Sequence, residues 1–317
     1  MKFCYKGIYV NNAKELLTHY RNGWINVRYP KNDILKIFLE LPNLITQDDI
    51  DQYCYAFFIY RHARSNDDYL SSLKITQKLM KKEFVPSYFL YACMLLDGKI
   101  ITKNHIGFVM YLNKIIELIP DFAPALYNLG YCYYKGIGVK VDVEKGFELI
   151  EKAKSLDYDN AINFIGQSYL NGKVYKQDFK KAFECFSIAA ARENEYSCHK
   201  LGFLYSKGLG CPQDNKKSLE YFHLSAEKGY VEAQYMLGLI YNIGNITKKN
   251  IPLSLHYFIK AARQGHTKAM GYAGSILLSQ KDGVYGRAAE GIDWIKKGAK
   301  LGDELCISLA KENKIRY

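Results

Sequence analysis

A block of similar sequence recurs every 36 residues from residue 125 onward in this 317-residue chain. The blocks begin at Ala125, Ala161, Ser197, Ala233 and Ala269, so that all four intervals are equal. A repeat of this length is typical of architectures in which each unit packs only on its neighbours. This regular spacing limits the possible folds more strongly than any other feature of the sequence.

The recurring positions of each block predict a first helix that is closely packed. An apolar residue stands four positions after the start of the block, as at Leu129, and a glycine follows it. A glycine inside a helix costs about 1 kcal/mol relative to alanine, so its recurrence predicts a close approach of the partner helix. The glycines concerned are Gly130, Gly166, Gly202, Gly238 and Gly274.

Further glycines and aspartates delimit the two helices of each block. The first helix is predicted to end at a glycine that takes the left-handed conformation: Gly136, Gly172, Gly208 and Gly244. Six residues later, an aspartate is predicted to cap the second helix: Asp142, Asp178 and Asp214. The second helix ends at Gly229, Gly265 or Gly302. Each block is therefore an α-hairpin that buries its apolar face only by stacking on another.

This pattern resembles the Sel1-like repeat, a relative of the tetratricopeptide repeat with a longer loop between its helices. The match is specific over residues 125–262, and weaker resemblance extends it to about residues 87–302. The resemblance implies an all-α fold, namely a right-handed superhelical α-solenoid of stacked antiparallel helix pairs. It also implies a non-catalytic protein-binding scaffold or adaptor, of a kind often found in bacterial regulation or host contact.

Three segments are expected along the chain. Residues 85–303 hold about six repeats, of which the first and the last are degenerate. Residues 304–317 are expected to form a C-terminal capping helix, over residues 306–311, and a tail. Residues 1–84 lack the repeat signature and are expected to be a helical segment that caps or extends the solenoid. The alternative for this segment is a separate small functional domain.

Helices are predicted within the N-terminal segment over residues 13–20, 32–41, 48–64 and 67–83. Asp48 and Asp67 are the predicted N-caps of the last two helices, because an aspartate side chain accepts hydrogen bonds from the first turn.

No catalytic, cofactor or metal site is predicted. The seven histidines include no pair three or four residues apart, as two metal ligands on one helix would require. The pairs Gly136/Gly138 and Gly208/Gly210 lack the third glycine and the lysine of a phosphate-binding loop. The eight cysteines are scattered, which favours free, mostly buried thiols. The chain is therefore not predicted to be an enzyme, although one hidden in residues 1–84 is an alternative.

The net charge of +12 is concentrated near the C-terminus, where residues 245–317 contain thirteen basic and six acidic side chains. Such a surface could attract an acidic protein or a nucleic acid, or it could serve as a solvated face. The longest apolar runs, residues 53–60 and 88–96, are shorter than the roughly 20 residues that span a membrane. Because the first residues do not resemble a signal peptide, a cytoplasmic location is expected.

A stripe on the first helices varies from block to block and is not used by the repeat signature. The matching stripe of tetratricopeptide-type folds contacts ligands, so the resemblance assigns it to partner binding on the concave face. It contains Tyr127, Tyr131, Tyr134, Lys135, Asn163, Gln167, Asn171, His199, Phe203, Lys207, Tyr235 and Asn242, together with Leu170, Ser206, Leu239 and Ile243. The alternative is that the aromatic members only pack against neighbouring helices.

The function expected from these features is that of a scaffold or adaptor whose concave face holds a protein or peptide. Two alternatives stay open. One is an immunity or neutralising protein that occludes a cognate toxin or enzyme. The other is a nucleic-acid-associated protein that uses the basic C-terminal quarter of the chain.

Overall fold

The computed structural model of the chain describes residues 3–5, 8–10, 47–63, 65–279 and 286–317. The chain divides into two compact units, Met1–Ala161 (unit 1) and Ile162–Tyr317 (unit 2). The described part of unit 1 contains β1 (Phe3–Tyr5), β2 (Ile8–Val10), α1 (Gln47–His62), α2 (Asn66–Lys81), α3 (Val85–Asp97), α4 (His105–Leu118), α5 (Ala123–Lys135) and α6 (Val143–Ser155). The division falls within α7 (Asp159–Asn171). Unit 2 continues with α8 (Phe179–Ala190), α9 (Glu195–Lys207), α10 (Asn215–Glu227), α11 (Val231–Ile243), α12 (Ile251–Arg263), α13 (Thr267–Ser279), α14 (Ala288–Lys300) and α15 (Glu304–Glu312).

The predicted all-α class is confirmed by the helices of both units. The two short strands, which the sequence analysis did not predict, form an antiparallel pair in which Phe3 lies opposite Val10. Their aromatic and β-branched residues favour strands. The helices predicted over residues 13–20 and 32–41 lie outside the described residues.

The predicted N-caps of α1 and α2 are wrong. Helix α2 is capped by Ser65, whose Oγ accepts a hydrogen bond from the backbone N–H of Asp68 at 3.2 Å. The Asp68 carboxylate accepts one from the Ser65 N–H at 3.1 Å. This reciprocal pair satisfies two N–H groups at once, so Asp67 lies in the first turn rather than at the cap. Asp48 likewise lies in the first turn of α1, which begins at Gln47.

Consecutive helices form antiparallel pairs, and within each unit every pair packs on the next. Unit 1 contains the pairs α1–α2, α3–α4 and α5–α6, whereas unit 2 contains α9–α10, α11–α12 and α13–α14, followed by α15. Each core cluster combines side chains from neighbouring pairs. In unit 1, for example, Phe89 of α3 and Leu112 of α4 share a cluster with Leu129 of α5. The predicted stacking of helix pairs is thus confirmed within each unit.

The predicted close approach of paired helices is also confirmed. A Cβ added to Gly238 would lie 2.5 Å from the ring of Phe258 on the partner helix. A Cβ added to Gly130 would lie 2.6 Å from the carbonyl oxygen of Gly146. Real Cβ atoms do not approach other atoms this closely, so only glycine allows the two helices to pack at this separation.

A small residue of the second helix faces each of these glycines. Ser218 Oγ donates a hydrogen bond to the carbonyl oxygen of Gly202 at 2.8 Å, and Ser254 Oγ donates one to that of Gly238 at 2.7 Å. The same contact occurs in α1–α2, where Ser72 Oγ donates to the carbonyl oxygen of Ala56 at 2.7 Å. The two residues are sixteen apart in all three cases. We therefore propose that residues 47–81 extend the stack of unit 1, while the predicted boundaries near residues 84 and 303 stay predictions.

The predicted glycine ends of the first helices are confirmed in all four central repeats, and the predicted aspartate caps of the second helices are confirmed in the three repeats that have them. The glycines that end the first helices have left-handed backbone angles, with φ of 71° at Gly136, 66° at Gly172, 65° at Gly208 and 79° at Gly244. The aspartates cap the second helices by accepting a backbone hydrogen bond from the residue three positions later, as Asp142, Asp178 and Asp214 do. Asn250 does the same in the fourth repeat.

A lysine of the second helix contacts the recurring tyrosine of the first. The lysine three residues after each capping aspartate lies near the tyrosine ring, with its Nζ at 4.3 Å from the centroid for Lys145 and Tyr133, 5.3 Å for Lys181 and Tyr169, and 5.4 Å for Lys217 and Tyr205. Such cation–π contacts stabilise exposed sites by about 0.5–1 kcal/mol. They give a structural reason why lysine and tyrosine recur at these positions every 36 residues in three successive blocks.

The second glycine of each G-x-G sequence contacts the preceding helix pair. A Cβ on Gly138 would lie 2.2 Å from the carbonyl oxygen of His105, and one on Gly210 would lie 2.1 Å from that of Phe179. The glycines therefore allow a loop to rest on the start of the previous second helix. Gly138 and Gly210 are therefore loop glycines with a packing role.

The C-terminal helix closes the last pair of unit 2. Helix α15 spans Glu304–Glu312 and packs against α13 and α14. Its buried Cys306 side chain occupies the space beside Gly298, where an added Cβ would lie 2.2 Å from the Cys306 Sγ. The short helix predicted over residues 306–311 is confirmed with slightly wider bounds.

We predict that Gly238→Ala and Gly265→Ala destabilise unit 2 for different reasons. Gly238→Ala forces a Cβ against Phe258, and such overpacking lowers the free energy of unfolding by about 1–3 kcal/mol. Gly265 has φ +93° and open space around its Cβ position, so Gly265→Ala costs only about 1 kcal/mol of backbone strain. Urea unfolding of each variant, alone and combined with Phe258→Leu, separates the two causes. Phe258→Leu should partly rescue Gly238→Ala, and additive effects in both combinations would contradict the close contact.

A second prediction concerns Glu83, which is exposed and has φ 58° in the left-handed region. Because a side chain there is strained, Glu83→Gly should raise the free energy of unfolding by about 0.5–1 kcal/mol. Glu83→Ala keeps the Cβ and serves as the control, since it should leave stability nearly unchanged. An equal gain from both variants would show that the charge of Glu83, and not its backbone angle, limits stability.

Candidate functional site

The predicted partner-binding residues lie on the first helices of the four central repeats. Those on α5 belong to unit 1, whereas those predicted on α7, α9 and α11 belong to unit 2. The two groups are therefore described separately.

In unit 1, three tyrosines form a row along α5. The ring centroids of Tyr127 and Tyr131 are 6.4 Å apart, and those of Tyr131 and Tyr134 are also 6.4 Å apart. All three side chains are half-buried. The Nζ of Lys135 lies 4.5 Å from the ring centroid of Tyr134 and adds a positive charge at the end of the row.

The row rests on other aromatic side chains of unit 1. Tyr127 packs against Tyr158 with a centroid distance of 5.6 Å, and Tyr134 meets Phe147 edge-on at 5.6 Å. Burial, with a smaller effect of Tyr131, raises the pKa of the Tyr127 hydroxyl to about 12. The hydroxyl is therefore neutral at physiological pH and able to donate a hydrogen bond.

In unit 2, the predicted site residue Asn163 is buried between two repeats. Its Nδ2 donates a hydrogen bond to Asn194 Oδ1 at 3.1 Å, and its Oδ1 accepts one from Ser197 Oγ at 2.5 Å. Asn194 is also the N-cap of α9. Asn163 therefore joins α7 to the start of α9, which is a structural role.

Gln167 and Asn171 are joined to each other on α7. Gln167 Nε2 donates to Asn171 Oδ1 at 2.8 Å, and Gln167 Oε1 accepts a hydrogen bond from the Tyr196 hydroxyl at 2.5 Å. Asn171 is exposed. These amides lie closer to the surface than Asn163 does, with part of their hydrogen-bonding capacity already used within unit 2.

Phe203 packs against two core clusters of unit 2. One contains Phe186 of the preceding repeat and the other contains Phe222 of its own repeat and Leu237 of the next. The packing role that the sequence left open for aromatic members of the stripe thus applies to Phe203. Lys207 is exposed and Asn242 is half-buried, each in the last turn of its helix.

A cavity of about 540 Å³ lies in unit 2 where α9, α11 and the start of α13 meet. It combines two of the predicted site residues, His199 and Tyr235, with residues that the sequence analysis did not select. The additional lining residues are Glu232, Met236, Gly265, His266, Thr267 and Lys268. The repeat pattern did not indicate these additional residues. The stripe was defined within a single block, whereas the cavity is lined by residues from three successive helix pairs.

His199 forms part of the wall of the cavity. Its ring lies 5.5 Å from that of Phe222 and 5.2 Å from that of Tyr230, and its buried Nδ1 makes no hydrogen bond to any residue that the structure describes. Burial, followed by the charge of Lys200, lowers the pKa of the imidazole to about 4. His199 is therefore neutral at pH 7.

The opposite wall is aromatic. The rings of Tyr235 and His266 stack with their centroids 4.3 Å apart, and His266 Nδ1 accepts a hydrogen bond from the backbone N–H of Ala269 at 3.1 Å, at the start of α13. Burial raises the pKa of Tyr235 to about 12 and lowers that of His266, with Glu232 opposing the change at His266.

Charged groups of both signs surround the cavity. Glu232 and Lys268 are exposed at its rim. Burial lowers the pKa of the neighbouring Lys200, and Glu232 opposes that shift. An aromatic wall with a mixed polar rim is suited to a protein side chain, because partner residues of this type bury their apolar parts while the rim satisfies their polar ends.

A second cavity of about 470 Å³ lies beside Phe183, Tyr205 and Lys217, where the repeat signature itself packs. In the described part of the chain, no three histidine, cysteine or acidic side chains come together as metal ligands would. None of the described helices combines the length and the apolar character needed to cross a membrane. Seven cysteine side chains, all except that of Cys4, are described; none of them forms a disulfide bond, and four are buried.

Comparison with known proteins identifies the repeat. Residues 123–158, 159–194, 195–230 and 231–266 each match the Sel1 repeat family. Two solved structures share the fold. A Sel1 repeat protein from Oxalobacter formigenes is 23% identical with a TM-score of 0.66, over 78% of this chain and 98% of that one. A protective antigen of uropathogenic Escherichia coli that displays an SLR fold is 22% identical with a TM-score of 0.58, over 88% of this chain and 57% of that one.

A third solved structure, of an immunity protein from Pseudomonas aeruginosa, aligns at 20% identity with a TM-score of 0.46, over 70% of this chain and 83% of that one. The curated proteins include no match to this chain.

We predict that His199 makes the stability of unit 2 sensitive to acid. The pKa of His199 lies near 4 in the folded state, below its ordinary value of 6.5, so the unfolded state binds the proton first. The contribution of His199 is therefore fully present above pH 6.5 and is lost as the pH falls toward 4. His199→Phe removes the titrating group while keeping a ring against Phe222. Thermal melts between neutral and acidic pH should show a smaller loss of stability for the variant, and parallel curves would contradict this role.

Proposed function

We propose that this chain, in which residues 123–266 are four Sel1 repeats, binds another protein or peptide through the first helices of those repeats. The repeat signature uses one stripe of each first helix for packing between helices. The side chains of the neighbouring stripe are mostly aromatic or polar, with three aliphatic ones among them, and they differ from one repeat to the next. Such variation on a constant framework is how repeat proteins supply a binding surface.

The cavity at α9, α11 and α13 is the observation that carries this proposal most directly. It has room for one or two large side chains, and its lining joins the neutral His199 to the stacked rings of Tyr235 and His266. Tyrosine is among the residue types that dominate the energetics of protein interfaces. The partner we propose is therefore a protein that inserts an anchoring side chain into this cavity.

The tyrosine row of α5 is a second candidate contact region, within unit 1. Its three half-buried rings present apolar surface, and Lys135 adds a positive charge at one end. Rigid aromatic side chains lose little conformational entropy on binding, which makes such a row suitable for a peptide or an extended segment.

A cytoplasmic location is proposed from the thiol groups. Cysteines scattered along the chain without a disulfide framework are typical of a compartment that keeps thiols reduced.

We predict that reversing two rim charges of the cavity weakens partner binding without unfolding the chain. The variant combines Glu232→Arg with Lys268→Glu, both at exposed positions, so the core is not disturbed. The same swap on α10, Lys216→Glu with Glu220→Arg, is the matched control. Partners are recovered by affinity purification from the source cells and quantified by mass spectrometry. A specific partner should bind the rim variant at least about tenfold more weakly, which corresponds to about 1.4 kcal/mol, and should bind the control normally.

A partner retained equally by both variants would place the interface away from the cavity. Should the recovered partner be an enzyme that the chain inhibits, the neutralising role is favoured over the adaptor role. Recovery that depends on added nuclease would instead favour the nucleic-acid alternative.

A further inference from the structure

The second helices of the last two pairs of unit 2 carry matching basic residues. Phe258 of α12 packs on Gly238, and Ile295 of α14 packs on Gly274 in the same way, so these two residues are equivalent. In this register Lys260 corresponds to Lys297, and Arg263 corresponds to Lys300. All four are exposed and lie in the last turn of their helices.

Helix stability alone does not require these basic residues. Cations near a helix C-terminus interact favourably with its dipole, which is one reason to find them there. However, α8 and α10 are second helices of the same unit and end without a basic residue in the last turn. Among the second helices of unit 2, the basic pairs therefore occur only on α12 and α14. Their unit holds most of the excess charge, with 23 basic and 14 acidic side chains in residues 162–317.

Aromatic rings accompany each basic pair. Lys260 Nζ lies 5.7 Å from the ring centroid of Tyr257, and Lys297 Nζ lies 5.4 Å from that of Trp294, at the equivalent position. Both rings are half-buried. The surface therefore combines Tyr, Trp, Arg and Lys, and the first three of these types are enriched among the residues that dominate protein interfaces.

Few acidic side chains neutralise this surface. None of the four basic side chains makes a salt bridge with a residue in the described part of the chain. Glu227 of α10 adds to burial and Tyr241 in raising the pKa of Tyr257. Asp293 of α14 occupies the position equivalent to His256. The positive field is felt locally, because Lys260 and Arg263 add to burial in lowering the pKa of His256.

We propose that the basic ends of α12 and α14 bind an acidic segment of a partner protein. Each basic pair spans one helical turn, and carboxylates three or four residues apart on a partner helix have the same spacing of about 5–6 Å. A nucleic-acid strand needs a basic groove that follows several successive phosphates. Helices α8 and α10, without basic last turns, interrupt any such track along the second helices of unit 2. This surface is separate from the first helices, so the inference does not rest on the proposed function.

The test measures binding of a fluorescent glutamate-rich peptide to the full chain by anisotropy, at several salt concentrations. The first variant replaces Lys260, Arg263, Lys297 and Lys300 by Gln. The matched control replaces Lys173, Lys176, Lys216 and Lys248 by Gln, which removes the same net charge at exposed positions outside α12 and α14. A single-stranded oligonucleotide and a glutamine-rich peptide are the competing probes.

We expect the acidic peptide to bind the chain with an affinity that falls as the salt concentration rises. This affinity should fall at least about tenfold in the first variant and change little in the control. Circular dichroism establishes that both variants are folded. Equal losses in the two variants would overturn the proposal, because binding would then follow net charge alone. No binding of the acidic peptide, or tighter binding of the oligonucleotide, would overturn it as well.

Discussion

The contact between the two helices of each pair is the constraint on which the rest of this structure depends. In the pairs from α5–α6 onward, a glycine on the first helix lets the second helix approach closely. Where a serine of the second helix faces the first, as Ser218 and Ser254 do, its hydroxyl donates a hydrogen bond to a carbonyl oxygen of the first helix. Because this contact fixes the separation of the helices, the apolar residues on either side reach the next pair. Burial of those residues, at roughly 25 cal/mol per Å² of apolar surface, then stabilises the stack.

The same constraint explains where binding residues can occur. Positions that face the partner helix must be small, and positions between pairs must be apolar, so little variation is possible there. The remaining surface of the first helices varies without affecting the fold. In unit 2, such residues combine with the start of α13 to form the His199–Tyr235 cavity, and in unit 1 they form the tyrosine row of α5.

Most of the fold could be predicted from the sequence because its determinants are local and recur. The left-handed glycine, the capping aspartate and the buried glycine each have a clear backbone requirement, and a fixed interval makes their coincidence visible. The N-cap of α2 was predicted incorrectly because an aspartate was chosen where Ser65 and Asp68 cap each other. The site was less predictable. Asn163 belongs to the variable stripe by spacing, yet it is buried against Asn194, 31 residues away, and a pattern within one block does not contain that contact.

The joints between successive repeats differ in backbone strain. The second helices of two central repeats end at Gly229 and Gly265, which adopt positive φ angles freely, whereas Asp157 and Glu193 carry side chains at φ 62° and 59°. A side chain in this conformation costs about 1–2 kcal/mol. The repeat at residues 159–194 is bounded by such strained joints at both ends. Because repeat arrays open locally rather than all at once, breathing motions and hydrogen exchange should concentrate in α7 and α8, which makes this repeat the natural place for a protease to cut the chain.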